Sequence, residues 1–133
     1  MNSKKVLAFH DISCFGRCSI QTAVPVISNY GHQVCPLPTA LLSTHTGGYE
    51  GFTFLDLTEE CLKIIEHWKS LELKFDAIYT GFVANEQQID MINTLIENFA
   101  KEDTIKIIDP VMGDNGKIYR TYNEEMCRRM RVL

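Results

Sequence analysis

Two rhythms of apolar residues alternate along the chain: short runs rich in β-branched and aromatic residues, and longer stretches whose apolar positions recur every three or four residues. Residues 5–9 form the first short run, ending at His10-Asp11 and followed by a loop over 12–16. Ile20, Ala23, Val24, Ile27 and Tyr30 then make a helical stripe closed by Gly31, and Pro25, with no N–H to offer the Gln21 carbonyl, predicts a kink. Residues 33–38 read as a second strand whose prolines predict a short or edge position. Thr58 is expected to cap a helix with Glu59 and Glu60 in its first turn and Cys61, Ile64, Ile65, Trp68 and Leu71 turned inward, Trp68 in the core. A third strand at 75–79 ends in Thr80-Gly81-Phe82. Asn85 with Gln88 three residues on resembles a capping box, opening a helix that buries Ile89, Ile92, Leu95, Ile96 and Phe99. Residues 104–108 are β-branched and mostly apolar, which predicts a strand covered on both faces. Residues 122–131 read as the start of a further helix, which the chain ends inside.

Strands alternating with helices imply βαβ units, right-handed crossovers and a parallel sheet with helices on its faces, within one domain over residues 1–133. Residues 39–54 break the alternation. They are too long for a simple connection and rich in Gly, Thr and aromatic residues, so they predict a functional flap at about 39–55 or, alternatively, a surface meander that binds nothing.

Ligands of such sheets bind beyond the carboxyl ends of the strands. That rule puts Asp11, the loop after Gly81, Asp109 and Asp114 on one rim, with the flap free to lean over it. Pro110 stops the strand that delivers Asp109, and Asn115-Gly116 is a strong hairpin signal. Two carboxylates held there suit a divalent cation or a polyphosphate carrying one. The plainer alternative is that Asp109 ends a strand and Asp114 serves a turn.

Composition narrows the function classes. Thirteen Lys and Arg against seventeen Asp and Glu give a net charge of −4, with the signs interspersed, so there is neither a basic stripe for nucleic acid nor a polybasic membrane patch. No apolar run is long enough to span a bilayer and no leader pattern is visible, so a cytoplasmic location is expected. The five cysteines, odd in number and scattered, read as reduced thiols used as small hydrophobes. Of the four histidines, His10 and His45 fall where a cleft is expected.

Five segments carry a resemblance: His10-Asp11-Ile12-Ser13-Cys14-Phe15-Gly16-Arg17-Cys18-Ser19, Leu37-Pro38-Thr39, Ser43-Thr44-His45-Thr46-Gly47-Gly48-Tyr49, Thr80-Gly81-Phe82 and Asp109-Pro110-Val111-Met112-Gly113-Asp114. Their order and spacing resemble those of pyridoxal kinases in the ribokinase-like superfamily. The resemblance implies the amino-terminal portion of a three-layer, parallel-sheet, Rossmann-like α/β fold with a small flap after the second strand. It implies transfer of the ATP γ-phosphate to the 5′-hydroxyl of pyridoxal, pyridoxine or pyridoxamine, in vitamin B6 salvage, with Mg2+ and a monovalent cation as accompanying ions. Asp11, His45, Thr46, Gly81 and Phe82 would then contact the vitamer, and Asp109 and Asp114 would face the nucleotide and its metal, directly or through water. Asp11 stands where many pyridoxal kinases have a serine, which leaves the vitamer open.

The family's later half carries a Pro-Asn-x-x-Glu segment and a Gly-x-Gly-Asp motif whose aspartate is the general base. Neither occurs in these residues, so the resemblance implies a truncated, amino-terminal half with no catalytic residue of its own and no activity alone. Open alternatives are a hydroxymethylpyrimidine or sugar kinase of the same superfamily, a noncatalytic pyridine-binding module, and a homo-oligomer that buries the exposed edge of its sheet.

Overall fold

The computed structural model describes residues 3–133. The elements are β1 (Lys5–Phe15), α1 (Ile20–Asn29), β2 (Gln33–Thr44), β3 (Phe54–Asp56), α2 (Thr58–Ser70), β4 (Phe75–Thr80), α3 (Glu86–Phe99), β5 (Ala100–Ile108), β6 (Gly113–Asp114), β7 (Lys117–Ile118) and α4 (Glu124–Met130). Five strands form one sheet in the order β3-β2-β1-β4-β5, and β6 and β7 pair separately. β2, β1, β4 and β5 run parallel; β3 alone is antiparallel, against β2. The expected α/β fold with a parallel sheet is therefore present.

Helices cover the two faces unequally. α1 packs on β1 and β2, while α2 and α3 pack on β2, β4 and β5, with α4 against α3. The main core lies on the α2–α3 side, where Leu7, Phe9, Leu37 and Ile78 from the sheet meet Cys61, Ile65, Ile89, Ile92, Leu95 and Phe99. Trp68 sits at the margin of this core rather than within it, its ring 5.7 Å from Phe75 and 6.2 Å from Phe99. Leu71, expected inward, is exposed because α2 has already ended.

Several boundaries differ from the sequence reading for identifiable reasons. β1 does not stop at Asp11 but continues to Phe15, because β2 also continues to Thr44 and supplies backbone partners through an irregularity between His10 and Ile12. The first third of the expected flap, residues 39–44, is therefore strand. β2 is consequently long, and β3 flanks it only from Ala40 to Leu42. Pro36 and Pro38 occupy the half that β3 does not reach, where a missing N–H breaks no ladder on that side.

Thr58 is the first residue of α2 rather than its cap, a position Leu57 takes, and the Thr58 backbone N–H donates to the Asp56 carboxylate at 2.7 Å. Asn85 does cap α3, accepting the Gln88 N–H at 3.0 Å, but the Gln88 side chain turns into the interior instead of closing a box. α4 opens on the Asn123 side chain, which accepts from the Met126 N–H at 2.7 Å, and ends at Met130 rather than running off the chain.

β5 departs most from expectation. It is an edge strand, and Ile105 and Ile107 are 63% and 49% exposed. Their register partners Ala77 and Tyr79 lie on the face where α1 packs on β1 and β2, so among the described residues no helix shields this side of β5. Among the described residues no helix is long and apolar enough to cross a membrane.

Candidate active-site rim and cleft

The rim is built first by the far end of β1. Asp11 is buried, its carboxylate accepting the Ser13 hydroxyl at 3.0 Å and the Ser19 hydroxyl. Ser19 immediately precedes α1 with φ 50°, a backbone region that residues other than glycine seldom adopt, and its carbonyl accepts the N–H groups of Thr22 (3.1 Å) and Ala23 (2.9 Å). Gly16 has φ 120°, and a Cβ there would overlap the His45 ring. A glycine is needed at that position both for its dihedral and for the closeness of the imidazole. The segment between β1 and α1 is thus wrapped tightly around Asp11 and His45.

The flap tip supplies the next groups. The His45 N–H donates to the Phe15 carbonyl at 3.2 Å, joining flap to β1, and His45 Nδ1 accepts the Gly47 N–H at 3.2 Å. With Nδ1 an acceptor, the neutral ring carries its proton on Nε2. Tyr49 packs edge-on to His45, with ring centroids 5.1 Å apart.

At the end of β4, the Gly81 N–H donates to the Phe9 carbonyl at 3.0 Å, and a side chain at 81 would collide with the His10 ring. The Phe82 carbonyl accepts from Thr39 Oγ1 at 2.8 Å. That bond belongs to a buried network in which Gln88 accepts the Ala84 N–H at 2.7 Å and donates to the Thr39 carbonyl (2.8 Å) and to Thr58 Oγ1 (2.9 Å). The loop carrying Phe82 is therefore pinned to β2 and α2 from behind.

At the end of β5, the Asp109 N–H donates to the Thr80 carbonyl at 3.1 Å. The β6–β7 hairpin turns on Asn115 (φ 49°) and Gly116 (φ 74°), the two positive dihedrals that a tight Asn-Gly turn requires, as the sequence predicts. Gly113 lies directly against the Lys117–Ile118 backbone and leaves no room for a Cβ.

These pieces enclose a cleft of about 430 Å3 lined by Asp11, Ser13, Ser19, His45, Thr46, Phe82, Asp114 and Tyr119, among others. Five of the seven residues singled out in the sequence thus meet at one cavity: Asp11, His45, Thr46, Phe82 and Asp114. Gly81 and Asp109 instead line an adjoining cleft of about 390 Å3 with His10, Arg17 and Tyr79; Cys18, Ser19, Phe82 and Val111 border both. Asp109 and Asp114 are both exposed, one at each cleft.

Electrostatics tie the clefts together. Burial pushes the Tyr119 phenol above its ordinary pKa, and the negative charges of Asp114, Asp109 and Asp11 push it further, so Tyr119 remains a hydrogen-bond donor facing three acids. Burial lowers the His10 pKa against the opposing pull of Asp11, Asp109 and the Tyr79 backbone. His10 packs edge-on to Tyr79 at 4.3 Å, and its Nε2 has no hydrogen-bond partner. Among the described residues no group of three or more His, Cys, Asp or Glu side chains gathers as a ready-made metal cage.

Sequence reasoning did not single out Ser13, Ser19, Gly16 or Tyr119. Ser13, Gly16 and Ser19 stand within the segment that carried the family resemblance, and their spacing from Asp11 was the available signal. Nothing in the local pattern marks Tyr119, which reaches the cleft only because the hairpin folds back and the Tyr119 N–H donates to the Met112 carbonyl at 3.0 Å.

Fold and rim define an α/β chain of the type found in the pyridoxal kinase structures. The chain is pyridoxal-kinase-like over nearly all of its length. It is 33% identical over 122 residues to a Saccharomyces cerevisiae protein named for pyridoxal kinase, a match covering 88% of this chain and 38% of that protein. A Lactobacillus plantarum pyridoxal kinase structure superposes with a TM-score of 0.86 at 32% identity, covering 96% of this chain and 45% of its own. A Bacteroides thetaiotaomicron protein named for phosphomethylpyrimidine kinase, in its crystal form with pyridoxal, superposes with a TM-score of 0.93 at 49% identity, covering 98% of this chain and 46% of its own. The chain thus spans little more than a third of that curated relative and under half of the two solved structures. No protein-family model matches it.

Proposed function

We propose that the chain supplies the vitamer-binding side of a pyridoxal-kinase-type site, in which the γ-phosphate of ATP passes to the 5′-hydroxyl of a B6 vitamer. One observation carries the reading: Asp11, His45, Thr46 and Phe82 line one ligand-sized cleft in a chain 49% identical to a protein crystallised with pyridoxal. In this reading Asp11, His45 and Thr46 hold the polar edge of the vitamer and Phe82 borders its ring, with Gly81 keeping the neighbouring backbone close. Asp109, in the adjoining cleft, and Asp114, which also borders the vitamer cleft, would face the nucleotide.

Their chemistry fits Mg2+. Both are exposed carboxylates outside every ion pair of the described residues, and Mg2+ typically takes one or two carboxylates, keeps several waters and relies on phosphates for the rest. When bound, the ion would neutralise phosphate charge, which with alignment and exclusion of water is most of what phosphoryl transfer asks of a protein. The flap residues His45 and Thr46 contribute the exclusion of water. No residue of this chain is assigned as general base; the Gly-x-Gly-Asp motif that carries it in the resembled family is not among these residues. The 133 residues by themselves are therefore expected to bind a vitamer and to transfer no phosphate.

A second reading is favoured by the name of the Bacteroides relative: the acceptor would be a hydroxymethylpyrimidine. Competition titration decides between the two. Pyridoxal should displace 4-amino-5-hydroxymethyl-2-methylpyrimidine from the cleft, and tighter binding of the pyrimidine would overturn the pyridoxal assignment in favour of the alternative.

A further inference from the structure

Besides the two clefts described above, the flap and the β6–β7 hairpin face each other across a third, of about 490 Å3. The flap side is fixed at its base, where the Ser43 N–H donates to the Thr53 carbonyl at 3.2 Å and Ser43 Oγ accepts the Thr53 N–H at 2.9 Å. The hairpin side is set by the Asn115-Gly116 turn and by the bond from the Tyr119 N–H to the Met112 carbonyl. Thr46, Gly47, Gly48, Asp114, Asn115 and Tyr119 line both this cleft and the one that holds Asp11, so the two adjoin.

Their charges differ. The Asp11 cleft is lined by two acids, Asp11 and Asp114, and by neither lysine nor arginine. The flap–hairpin cleft sets Lys117 and Arg120 against Asp114 and Glu50. Both cations are exposed and stand outside every ion pair of the described residues. The other walls include the rings of Tyr49, Phe52 and Tyr119, and Thr121, whose Oγ1 is buried without a hydrogen-bond partner. Aromatic walls favour a flat ring, a free arginine and lysine favour a phosphate, and a buried hydroxyl without a partner is left short of one.

Phosphorylation changes which cleft suits the ligand. A phosphomonoester carries a charge of about −1.5 to −2 near pH 7, where a hydroxymethyl group carries none. Beside Asp11 and Asp114 that charge is repelled, and beside Lys117 and Arg120 it is attracted. We infer that the flap–hairpin cleft is a second site that takes an aromatic phosphomonoester, the phosphorylated vitamer, with Lys117 and Arg120 holding the phosphate and Tyr49, Phe52 and Tyr119 bordering the ring. The inference rests on the reading above for the identity of the ring, and goes beyond it by giving the product a place of its own. A nucleotide also joins an aromatic ring to phosphate, so the test includes one.

Titration of the isotopically labelled 133-residue chain, followed by amide chemical shifts, tests this with pyridoxine 5′-phosphate, which lacks the aldehyde that would react with lysines at large. Pyridoxine, ADP and inorganic phosphate serve as comparisons. Pyridoxine 5′-phosphate should give saturable shifts at Tyr49, Lys117 and Thr121 and should bind there more tightly than ADP or inorganic phosphate. The double variant Lys117→Gln/Arg120→Gln, altered only at exposed positions, should bind the ester about tenfold or more weakly, as expected for lost hydrogen bonds to a charged group, and should change the affinity for pyridoxine by less than about twofold. Equal binding of the ester by variant and unaltered chain overturns the inference, as does its failure to bind, or tighter binding of ADP at the same residues. If the ester depends on Lys117 and Arg120 while pyridoxine leaves Asp11 and Ser19 unshifted, the inference stands and the vitamer reading of the Asp11 cleft fails. If pyridoxine shifts Asp11 and Ser19 and the ester shifts only those residues, the vitamer reading stands and the inference fails.

Discussion

His10 and Asp11 are adjacent and both buried, yet they meet the rim in different states. Asp11 has two hydroxyl donors and faces one cleft; His10 faces the other with Nε2 unpartnered, wedged between Tyr79 and a glycine whose missing side chain makes room for it. Burial lowers the His10 pKa, so in the folded state the ring takes up its proton at lower pH than in the unfolded chain. The unfolded chain then binds more protons than the folded one below the ordinary histidine value of about 6.5, and stability must fall as pH falls through that region. Thermal unfolding followed from pH 7.5 to 5.5 should show a declining midpoint, and His10→Gln should flatten the decline. A profile of the same slope in the variant would assign the acid sensitivity to other groups.

At the scale of elements, Gln88 does the most to turn a loop into a wall of the site. It is fully buried on α3 and joins β2, α2 and the loop beyond Phe82 through Thr39, Thr58 and the Ala84 N–H. Replacing it with leucine would leave the Thr39 carbonyl and the Ala84 N–H buried without these partners, and should destabilise the protein by about 2–4 kcal/mol. Denaturant unfolding measures this; a loss below about 1 kcal/mol would mean that water replaces the amide.

Gln88 also marks where the sequence stops being legible. Its position three residues after Asn85 predicts the start of a helix, and α3 begins there, because capping is local. Besides the nearby Ala84 N–H, its side chain bonds to Thr58 and Thr39, 30 and 49 residues away, and no local pattern encodes those two. The same division runs through the rim. The Asn115-Gly116 hairpin and the strand-end positions of Asp11 and Asp109 follow from local chemistry and from the rule for parallel sheets. The continuation of β1 to Phe15 depends on β2 continuing beside it, and the separation of Asp109 from Asp114 into adjoining clefts depends on how the hairpin folds back. β5 is not legible in this way because burial is a property of the assembled sheet: residues 104–108 have the composition of an interior strand but stand at an edge of the sheet in this chain.

Across the described residues, that edge sets the main imbalance. One side of the sheet is packed by α2 and α3, whereas the other carries only α1, leaving Ile105 and Ile107 exposed and, on α1 and its C-cap, Val26 and Tyr30 at 52% and 73% exposure. An exposed apolar edge strand is a template for pairing with another strand, with Lys106 as the main charge set against it on the same stretch. The cleft that Asp11 and His45 line lies at the carboxyl ends of the strands, and neither Ile105 nor Ile107 is among its lining residues. The cleft is proposed above to be a vitamer site. Amide chemical-shift mapping of the isotopically labelled 133-residue chain titrated with pyridoxal tests it most directly. Saturable shifts should concentrate at Asp11, Ser19, His45, Thr46, Phe82 and Tyr119; shifts confined to the β5 edge, or none at these residues at saturating pyridoxal, would contradict it.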